Sequence, residues 1–317
     1  MAAEVAGAII ERFPATPDGD DYLSLEIDHD RAAGELSVAQ TGNARALLER
    51  TGFASAAPVK TPCPTGFTAL SDDAPTAKEP TVTLDVLSVL GSIGHLTITR
   101  PDLNFTRGVL STVAVPSLAC PDAPTLAHRR CLARALRYLR ATLELGLLFH
   151  AAYGLDLHAY VDANFAQEIH RTANGAAGSR SSFVILAAGA CIASGAPRQG
   201  PTAQSTAEAE IYALALCVRA LLGVRRLAAR VLGATLPPSV IYEDNTAVIA
   251  MLRRRDLSAR MRHIRVNLAF IIDAIDDREI ELCYCGTDDQ VADIGTSQRV
   301  HETFARHRAT ILGRDSV

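Results

Sequence analysis

The sequence predicts an α/β (α+β) fold in which residues 151–317 form a mixed five-stranded sheet with flanking helices. Five segments have the apolar composition or the alternation of strands: residues 157–165, 182–188, 190–196, 240–243 and 280–284. The first three follow one another through connections short enough to predict antiparallel pairing. Helical patterns cover residues 205–231, 245–254, 264–275 and 290–312. This order predicts one sheet with helices packed against it.

The first 150 residues predict a smaller, mostly helical region that carries one hairpin. Residues 22–27 and 34–40 alternate apolar and polar side chains, as two strands joined by a turn do. Four segments have amphipathic helical patterns: residues 5–13, 44–50, 84–97 and 126–143. Residues 56–80 are rich in Pro, Thr, Ala and Asp, which predicts an extended connection. We therefore expect two domains, residues 1–150 and residues 151–317.

Composition restricts the class of protein and its compartment. The 317 residues are 48% hydrophobic and 21% charged, with a formal net charge of −4, as is ordinary for a globular protein. Without an overall basic excess, contact with nucleic acid must come from local patches. The seven cysteines include no C-x-x-C pair, which favours reduced thiols in an intracellular protein. The sequence lacks a signal pattern and a membrane-length apolar run, so we expect no membrane contact.

One carboxylate, Asp162, interrupts the apolar first strand of the predicted sheet. A buried strand rarely carries an Asp, because desolvating a charge is costly unless something offsets it. Three later acids occupy matching places: Glu208 near the start of the long helix, Asp244 at the end of the fourth strand, and Asp293 near the start of the last helix. Taken singly, each is a helix cap or a surface charge. If the first and fourth strands are neighbours, however, the four can meet at one point.

Four carboxylates at one point repel one another strongly, so such a cluster requires bound cations. Oxygen ligands favour the hard ions Mg²⁺ or Mn²⁺. Two such ions about 3.5–4 Å apart can activate water and stabilise the leaving oxygen of a phosphodiester. The sequence therefore predicts that Asp162, Glu208, Asp244 and Asp293 bind two divalent ions and hydrolyse phosphodiesters.

Six motifs in the C-terminal part resemble a known family in their order and spacing. They are YVDANF at 160–165, GSRSSFV at 178–184, QSTAEAE at 204–210, IYEDN at 241–245, RHI at 262–264 and TDDQVADI at 287–294. Together they resemble the ribonuclease H domain of copia-type retrotransposon Pol polyproteins. The resemblance implies a ribonuclease H-like fold and metal-dependent endonucleolytic cleavage of RNA in RNA–DNA hybrids. It places the family's four catalytic carboxylates on the four acids named above, and gives Glu210 and Asp289 supporting or structural roles.

The resemblance extends upstream to the end of the reverse transcriptase of the same family, its thumb and connection region. The matching segments are residues 22–27, 34–40, 58–62, 90–94, 99–102 and 135–142. The paired-aspartate motif of the polymerase palm should precede these segments and is absent, so we expect no DNA synthesis by this chain alone. The expected partners are an RNA–DNA hybrid and the rest of a retroelement polyprotein.

The chain departs from the family pattern at three places. Ala269 stands where the family usually has a larger polar or aromatic residue. Residues 195–202 are rich in Gly and Pro where the family has a Lys-bearing segment, and residues 295–298 read Gly-Thr-Ser-Gln where it ordinarily has Leu-Thr-Lys. Two of these changes remove cations that would meet phosphates, so we expect them to affect substrate affinity more than metal binding.

Basic residues are dense after the Asp244 strand: Arg253, Arg254, Arg255, Arg260, Arg262, His263 and Arg265. If this segment packs beside the site, it can hold the phosphates of a hybrid duplex; a solvated helix face is the alternative. Ribonucleases H distinguish RNA by its 2′-hydroxyls. The candidates for substrate contact are Gly178, Ser179, Asn245, Arg262 and His263.

Two other helices carry basic residues. The helix at 126–143 presents a basic face that is either solvated or a phosphate contact. In the long helix, Arg225, Arg226 and Arg230 are expected on the outer face.

Two other classes of protein remain alternatives. A catalytically inactive, retroelement-derived module for nucleic-acid binding or assembly agrees with the missing palm and cations, although the four acids oppose it. An integrase or transposase shares the sheet but places its Glu last in the chain. Here Glu208 comes between the first two Asp residues, which argues against that class.

Overall fold

The computed structural model describes residues 21–67, 84–115, 124–169, 177–255 and 264–314. The predicted helix at 5–13 and the substrate-contact candidates Arg262 and His263 lie outside these ranges. Among the helices in the described ranges, none combines the length and the apolar character needed to cross a bilayer.

The N-terminal part contains a four-stranded antiparallel sheet. Its strands, in their order across the sheet, are β1 (Asp21–Tyr22), β2 (Leu25–Asp30), β3 (Glu35–Ala39) and β4 (Leu147–His150). Strands β2 and β3 form the predicted hairpin, in which Ile27 lies opposite Val38. Strand β4 comes from far along the chain and pairs with β3; it was not predicted.

The N-terminal part also contains four helices that pack on one another: α1 (Thr41–Thr51), α2 (Val86–Leu96), α3 (Asn104–Ser111) and α4 (Leu126–Ala141). Three of them were predicted; α3 was not, because its eight residues give only about two turns of periodicity. The four helices contribute buried side chains to one core, among them Leu48, Ile93, Val109 and Leu136. This burial supplies most of the driving force for folding the N-terminal part.

The basic face of α4 binds the chain's own backbone. Arg134 donates to the carbonyl oxygen of Thr61 at 3.1 Å, Arg137 to that of Ala57 at 2.8 Å and Arg140 to that of Ala54 at 3.0 Å. These contacts hold the extended segment at 54–61 along the helix. The basic face of α4 therefore binds another segment of the same chain. Neither expected role, a solvated face or a phosphate contact, described this.

The C-terminal part contains the predicted mixed five-stranded sheet. Its strands are β5 (His158–Ile169), β6 (Ala177–Ala187), β7 (Ala190–Gly195), β8 (Ser239–Glu243) and β9 (Ile280–Tyr284). They lie in the order β7-β6-β5-β8-β9. The first three pair antiparallel, whereas β8 pairs parallel with both β5 and β9. This order, with the first and fourth strands as neighbours, is that of a ribonuclease H-like fold and confirms the predicted fold class.

Four helices accompany this sheet: α5 (Thr206–Leu232), α6 (Thr246–Arg253), α7 (Arg265–Asp276) and α8 (His301–Leu312). The hydroxyl of Ser205 caps α5 by accepting from the backbone N–H of Glu208 at 3.2 Å. The helix then covers one face of the sheet and buries a second core, whose members include Val161, Leu214, Val218 and Ile241. This packing fixes the start of α5 against the end of β5.

Two local predictions were wrong. Instead of one helix over 290–312, the chain forms short 3₁₀ turns at Thr287–Asp289 and Val291–Gly295 before α8 begins at His301. Arg225 is buried, not on the outer face of α5, and donates to Glu279 at 3.0 Å and to the Ser239 hydroxyl at 2.7 Å. It thereby ties α5 to the start of β8.

The two parts of the molecule share one core. Residues Leu103 and Leu136 of the N-terminal part lie in the same buried cluster as Leu186 of β6 and Ile311 of α8. A buried polar network crosses the same boundary, in which Tyr138 of α4 accepts from Arg308 of α8 at 3.3 Å. The helix that follows the candidate site is thus anchored on the N-terminal part. The division into domains at residue 150 stays a prediction.

Candidate active site

The parallel pairing of β5 and β8 brings two of the predicted acids together. Tyr160 lies opposite Tyr242, and two residues further along the two strands come Asp162 and Asp244. Because side chains alternate along a strand, each acid projects on the same side as the tyrosine before it. Asp162 is buried, and Asp244, just past the end of β8, is half-buried. The sheet therefore juxtaposes these carboxylates as expected.

The third acid of the cluster is Glu210, not Glu208. Among the described residues, Asp162, Glu210 and Asp244 each offer a ligand atom, and these atoms lie within 4.8 Å of one another. Glu210 is on the face of α5 that packs on β5, in phase with the buried Leu214 and Cys217. Glu208 is buried as well and is in phase with buried residues one and two turns further along α5, so helical periodicity alone does not distinguish the two acids.

Glu208 lies in the first turn of α5 and turns back on the start of that helix. Its carboxylate accepts from the backbone N–H of Gln204 at 2.9 Å and from the Tyr212 hydroxyl at 3.3 Å. Side chains two residues apart on an α-helix differ by about 200° of rotation about the helix axis, so Glu208 and Glu210 project in nearly opposite directions. The structure thus assigns to Glu208 the helix-terminal position that sequence analysis considered for each acid singly.

Asp293 is held beside Asp162 by the 3₁₀ turn at Val291–Gly295. The two carboxyl groups are in hydrogen-bond contact. The guanidinium of Arg299 pairs with Asp293 Oδ2, and the hydroxyl of Thr296 donates to Asp162 Oδ2. Asp293 is therefore next to the cluster, as expected, but its carboxylate is already paired with the positive charge of Arg299.

Burial and mutual repulsion raise the pKa values of several buried acids in this region. Burial, followed by the charges of Glu243, Asp162 and Asp244, raises the pKa of Glu210 to about 11. Burial and Asp162 raise the pKa of Asp293 to about 7, and burial also raises the pKa of Asp162. The region carries more negative charge than its protein surroundings neutralise.

A further buried acid, Glu243, was not identified from the sequence. Its Oε1 accepts from the backbone N–H of Asn245 at 3.0 Å, whereas Oε2 has no hydrogen-bond partner among the described atoms. Burial, followed by the charges of Asp244 and Asp162, raises its pKa to about 8. The signal was the alternation of β8, in which Ser239, Ile241 and Glu243 share the buried face.

The predicted substrate-contact residues have structural roles. Asn245 caps α6 by accepting from the backbone N–H groups of Ala247 and Val248, at 3.1 and 3.2 Å. Gly178 and Ser179 are buried in β6, and the Ser179 hydroxyl accepts from the backbone of Ala166 at 3.1 Å. Their contact with substrate stays a prediction, as does that of Arg262 and His263.

Three residues of the predicted basic segment are exposed at the end of α6. They are Arg253, Arg254 and Arg255, nine to eleven residues after Asp244. Arg255 forms an ion pair with Asp276 of α7. An ion pair between exposed groups is weak, so the end of α6 remains a positive surface near the chain segment that carries Asp244.

Comparisons with known proteins place the chain among retroelement polyproteins. No family model matches it. It is 28% identical over 303 residues to the retrovirus-related Pol polyprotein from transposon RE2 of Arabidopsis thaliana, covering 94% of this chain and 20% of that protein. It is 26% identical over 302 residues to the one from transposon TNT 1-94 of Nicotiana tabacum, covering 93% and 22%. The chain spans about a fifth of the length of these curated relatives.

Among solved structures, the chain is similar to LC11-RNase H1, which was isolated from compost by a metagenomic approach. The sequence identity is 14% and the TM-score 0.34, with 48% of this chain and 96% of that chain covered. The matches to RE2 and TNT 1-94, in contrast, run through both parts of the chain. Along more than nine-tenths of its length, the chain is thus similar to retrovirus-related Pol polyproteins from plant transposons, which supports its interpretation as a fragment of a retrotransposon Pol polyprotein.

Proposed function

We propose that this chain cleaves RNA in RNA–DNA hybrids by metal-dependent endonucleolytic hydrolysis. The observation that carries the proposal is the meeting of Asp162, Glu210 and Asp244, whose ligand atoms lie within 4.8 Å of one another. Similarity to Pol polyproteins of transposons and the ribonuclease H-like order of the sheet support an RNA–DNA hybrid as substrate. Glu210 takes the ligand role that sequence analysis gave to Glu208.

The residues present fit a divalent cation. The Oε2 atom of Glu210 is buried and has no hydrogen-bond partner in the described part of the chain, a costly state for a carboxylate oxygen. The ligand set consists of carboxylates, which suit Mg²⁺ or Mn²⁺. When bound, such ions supply activation of water and stabilisation of the leaving oxygen of a phosphodiester.

Neighbouring groups of the chain orient the ligands. The Thr296 hydroxyl donates to Asp162, the Thr287 hydroxyl donates to Asp244 at 3.3 Å, and the backbone N–H of Ala163 donates to Glu210. Such bonds restrict each carboxylate to one direction, which preorganises the site. The exposed Arg253 and Arg254 are the cations that would meet the phosphates of the hybrid.

The test is cleavage of a labelled RNA–DNA hybrid by the full chain, with Mg²⁺ first removed by a chelator and then restored. We expect cleavage only with metal. The variants Asp162→Asn and Asp244→Asn should reduce the rate by about 100-fold or more. Asp273→Asn, at an exposed position of α7, removes one carboxylate away from the site and should leave the rate unchanged. Equal cleavage by Asp162→Asn and the wild type would refute the assignment.

The alternative, a binding or assembly module without catalysis, is favoured by one observation: Arg299 already pairs with Asp293 inside the protein. A carboxylate neutralised in this way no longer requires a cation. The same assay separates the two functions. A binding module without catalysis should bind the hybrid without cleaving it, and Mn²⁺ should not induce cleavage.

A further inference from the structure

The candidate active site divides into two halves that differ in charge balance. In the first half, Asp162, Glu210 and Asp244 offer ligand atoms within 4.8 Å of one another, and Glu210 Oε2 has no hydrogen-bond partner among the described atoms. In the second half, Asp293 lies beside Asp162 and its Oδ2 is in contact with the guanidinium of Arg299. The protein thus neutralises the second half and leaves the first half to an external cation.

Arg299 is well placed for this role. It follows the 3₁₀ turn at Val291–Gly295 and comes just before α8, so it is near Asp293 in the chain. Its side chain is 34% exposed, whereas that of Asp293 is 3% exposed. A buried carboxylate gains from a charge-assisted partner because it has lost its hydration. The charge of Arg299 also lowers the pKa of both Asp162 and Asp293, against the effect of burial.

The guanidinium and a divalent ion compete for the same position. The carboxylate of Asp293 already contacts Arg299 through Oδ2 and Asp162 beside it, and a guanidinium and a divalent ion at one carboxylate repel each other at short range. Asp162 has one oxygen committed as well, because Oδ2 accepts from the Thr296 hydroxyl. This leaves its other oxygen for the first half of the site.

We propose that Arg299 is a built-in counter-ion that stands in the place of a second cation, so that the resting site binds one divalent ion, between Asp162, Glu210 and Asp244. The inference deepens the proposed function and rests on it, since it concerns the same site. It differs from the two ions that the sequence predicts. A second ion binds only when Arg299 leaves Asp293.

The test is a calorimetric titration of the metal-free full chain with Mn²⁺. Wild type, Arg299→Lys and the charge control Arg226→Gln, at an exposed position of α5, should each bind one equivalent. Arg299→Gln should bind two equivalents, and its affinity for the second should be at least about tenfold higher than any second binding by the wild type. Magnetic resonance of the loaded proteins gives a second readout, because only Arg299→Gln should show a spin-coupled Mn²⁺ pair. Thermal unfolding by circular dichroism reports whether Arg299→Gln folds.

A further variant tests the same inference if Arg299→Gln does not fold. Asp293→Asn should bind its single Mn²⁺ within about threefold of the wild-type affinity, because Asp293 is outside the occupied half. A larger loss would overturn the inference, as would one equivalent in Arg299→Gln. Two equivalents in the wild type, with unchanged affinities in Arg299→Gln, would overturn it while leaving the proposed metal site intact. No Mn²⁺ bound by any variant would overturn both.

Discussion

The side chain of Gln290 joins the turn that carries Asp293 to the strand that carries Asp162: its Nε2 donates to the carbonyl oxygen of Val161 at 2.9 Å. Gln290 is completely buried, and its Oε1 accepts from the backbone N–H of Ala292 at 3.3 Å. On the other side of Asp293, Asn164 donates to the carbonyl oxygen of Thr296 at 3.0 Å. Two amide side chains therefore bracket Asp293 and fix it beside β5.

Replacing Gln290 should disconnect this turn. In Gln290→Leu, the buried carbonyl of Val161 loses a donor, so we expect the free energy of unfolding to fall by about 1–3 kcal/mol, as measured by urea denaturation. Hybrid cleavage should fall as well, because Asp293 is no longer held. Gln298→Leu is the matched control: within the described residues, its amide donates to the carbonyl of the next residue alone, and stability should change by less than about 0.5 kcal/mol. Equal stability of the two variants would contradict the proposed bracket.

Gly295 allows the same turn to lie against β6. A Cβ atom added there would be 2.3 Å from Ser182 Oγ and 3.0 Å from Ser182 Cβ. We expect Gly295→Ala to lower the free energy of unfolding by about 1–3 kcal/mol, and the added change Ser182→Gly to recover part of it. In Gly286→Ala, the added Cβ atom would have none of the described neighbouring atoms within 4 Å, so the free energy of unfolding should hardly change. Recovery by Ser182→Gly is the decisive comparison; its failure would show that the loss has another cause.

The buried polar network should contribute to stability across the two parts of the molecule. The Tyr138 hydroxyl donates to Asp102, which also accepts from Arg100 at 2.8 Å. Tyr138→Phe removes one donor from a buried carboxylate and should cost about 1–3 kcal/mol. Tyr153→Phe, at a position 45% exposed, is the control and should have little effect. Urea denaturation curves measure both, and equal midpoints would argue against the network's contribution.

Metal and pH should act on stability through the same carboxyl groups. The pKa values of Glu243 and Asp293 are raised to about 8 and about 7, so the native protein without metal keeps protons that the unfolded chain has lost. Their contribution to stability is complete below the ordinary carboxyl range and is lost as the pH rises through 7 and 8. In chelator, we expect the Tm to fall by about 5 °C or more between pH 5 and pH 8. Saturating Mg²⁺ should largely remove this fall, because the ion replaces the protons on the carboxyl groups. An equal fall in Tm between pH 5 and pH 8 with and without Mg²⁺ would contradict the expected link between metal and protons.

Much of the fold followed from the sequence because strand alternation and helix periodicity are local signals. The five strands of the second sheet and the long helix α5 correspond closely to the predicted segments. Strand β4 was missed since its partner β3 is more than 100 residues away in the chain. The prediction of one helix over 290–312 was wrong because a tertiary contact competes with helix formation there. This contact is the hydrogen bond from the Gln290 side chain to the carbonyl oxygen of Val161.

The site was predictable to the level of which strands and turns carry acids. Asp162 and Asp244 follow from strand order, and Asp293 follows from its motif. The choice between Glu208 and Glu210 did not follow from the sequence, because the first turns of α5 are buried on nearly every side and both acids are in phase with buried residues. Arg299 was not foreseen, because the motif that precedes it gives no indication of where a side chain four residues after Gly295 will point.

The most direct measurement compares Glu210→Gln with Glu208→Gln in cleavage of an RNA–DNA hybrid at saturating Mg²⁺. Both variants remove one negative charge from α5 and keep the side-chain shape. The geometry predicts a rate loss of about 100-fold or more for Glu210→Gln and a change of less than about threefold for Glu208→Gln. The reverse result, with Glu208→Gln inactive and Glu210→Gln active, would contradict the cluster of Asp162, Glu210 and Asp244 as the centre of the site.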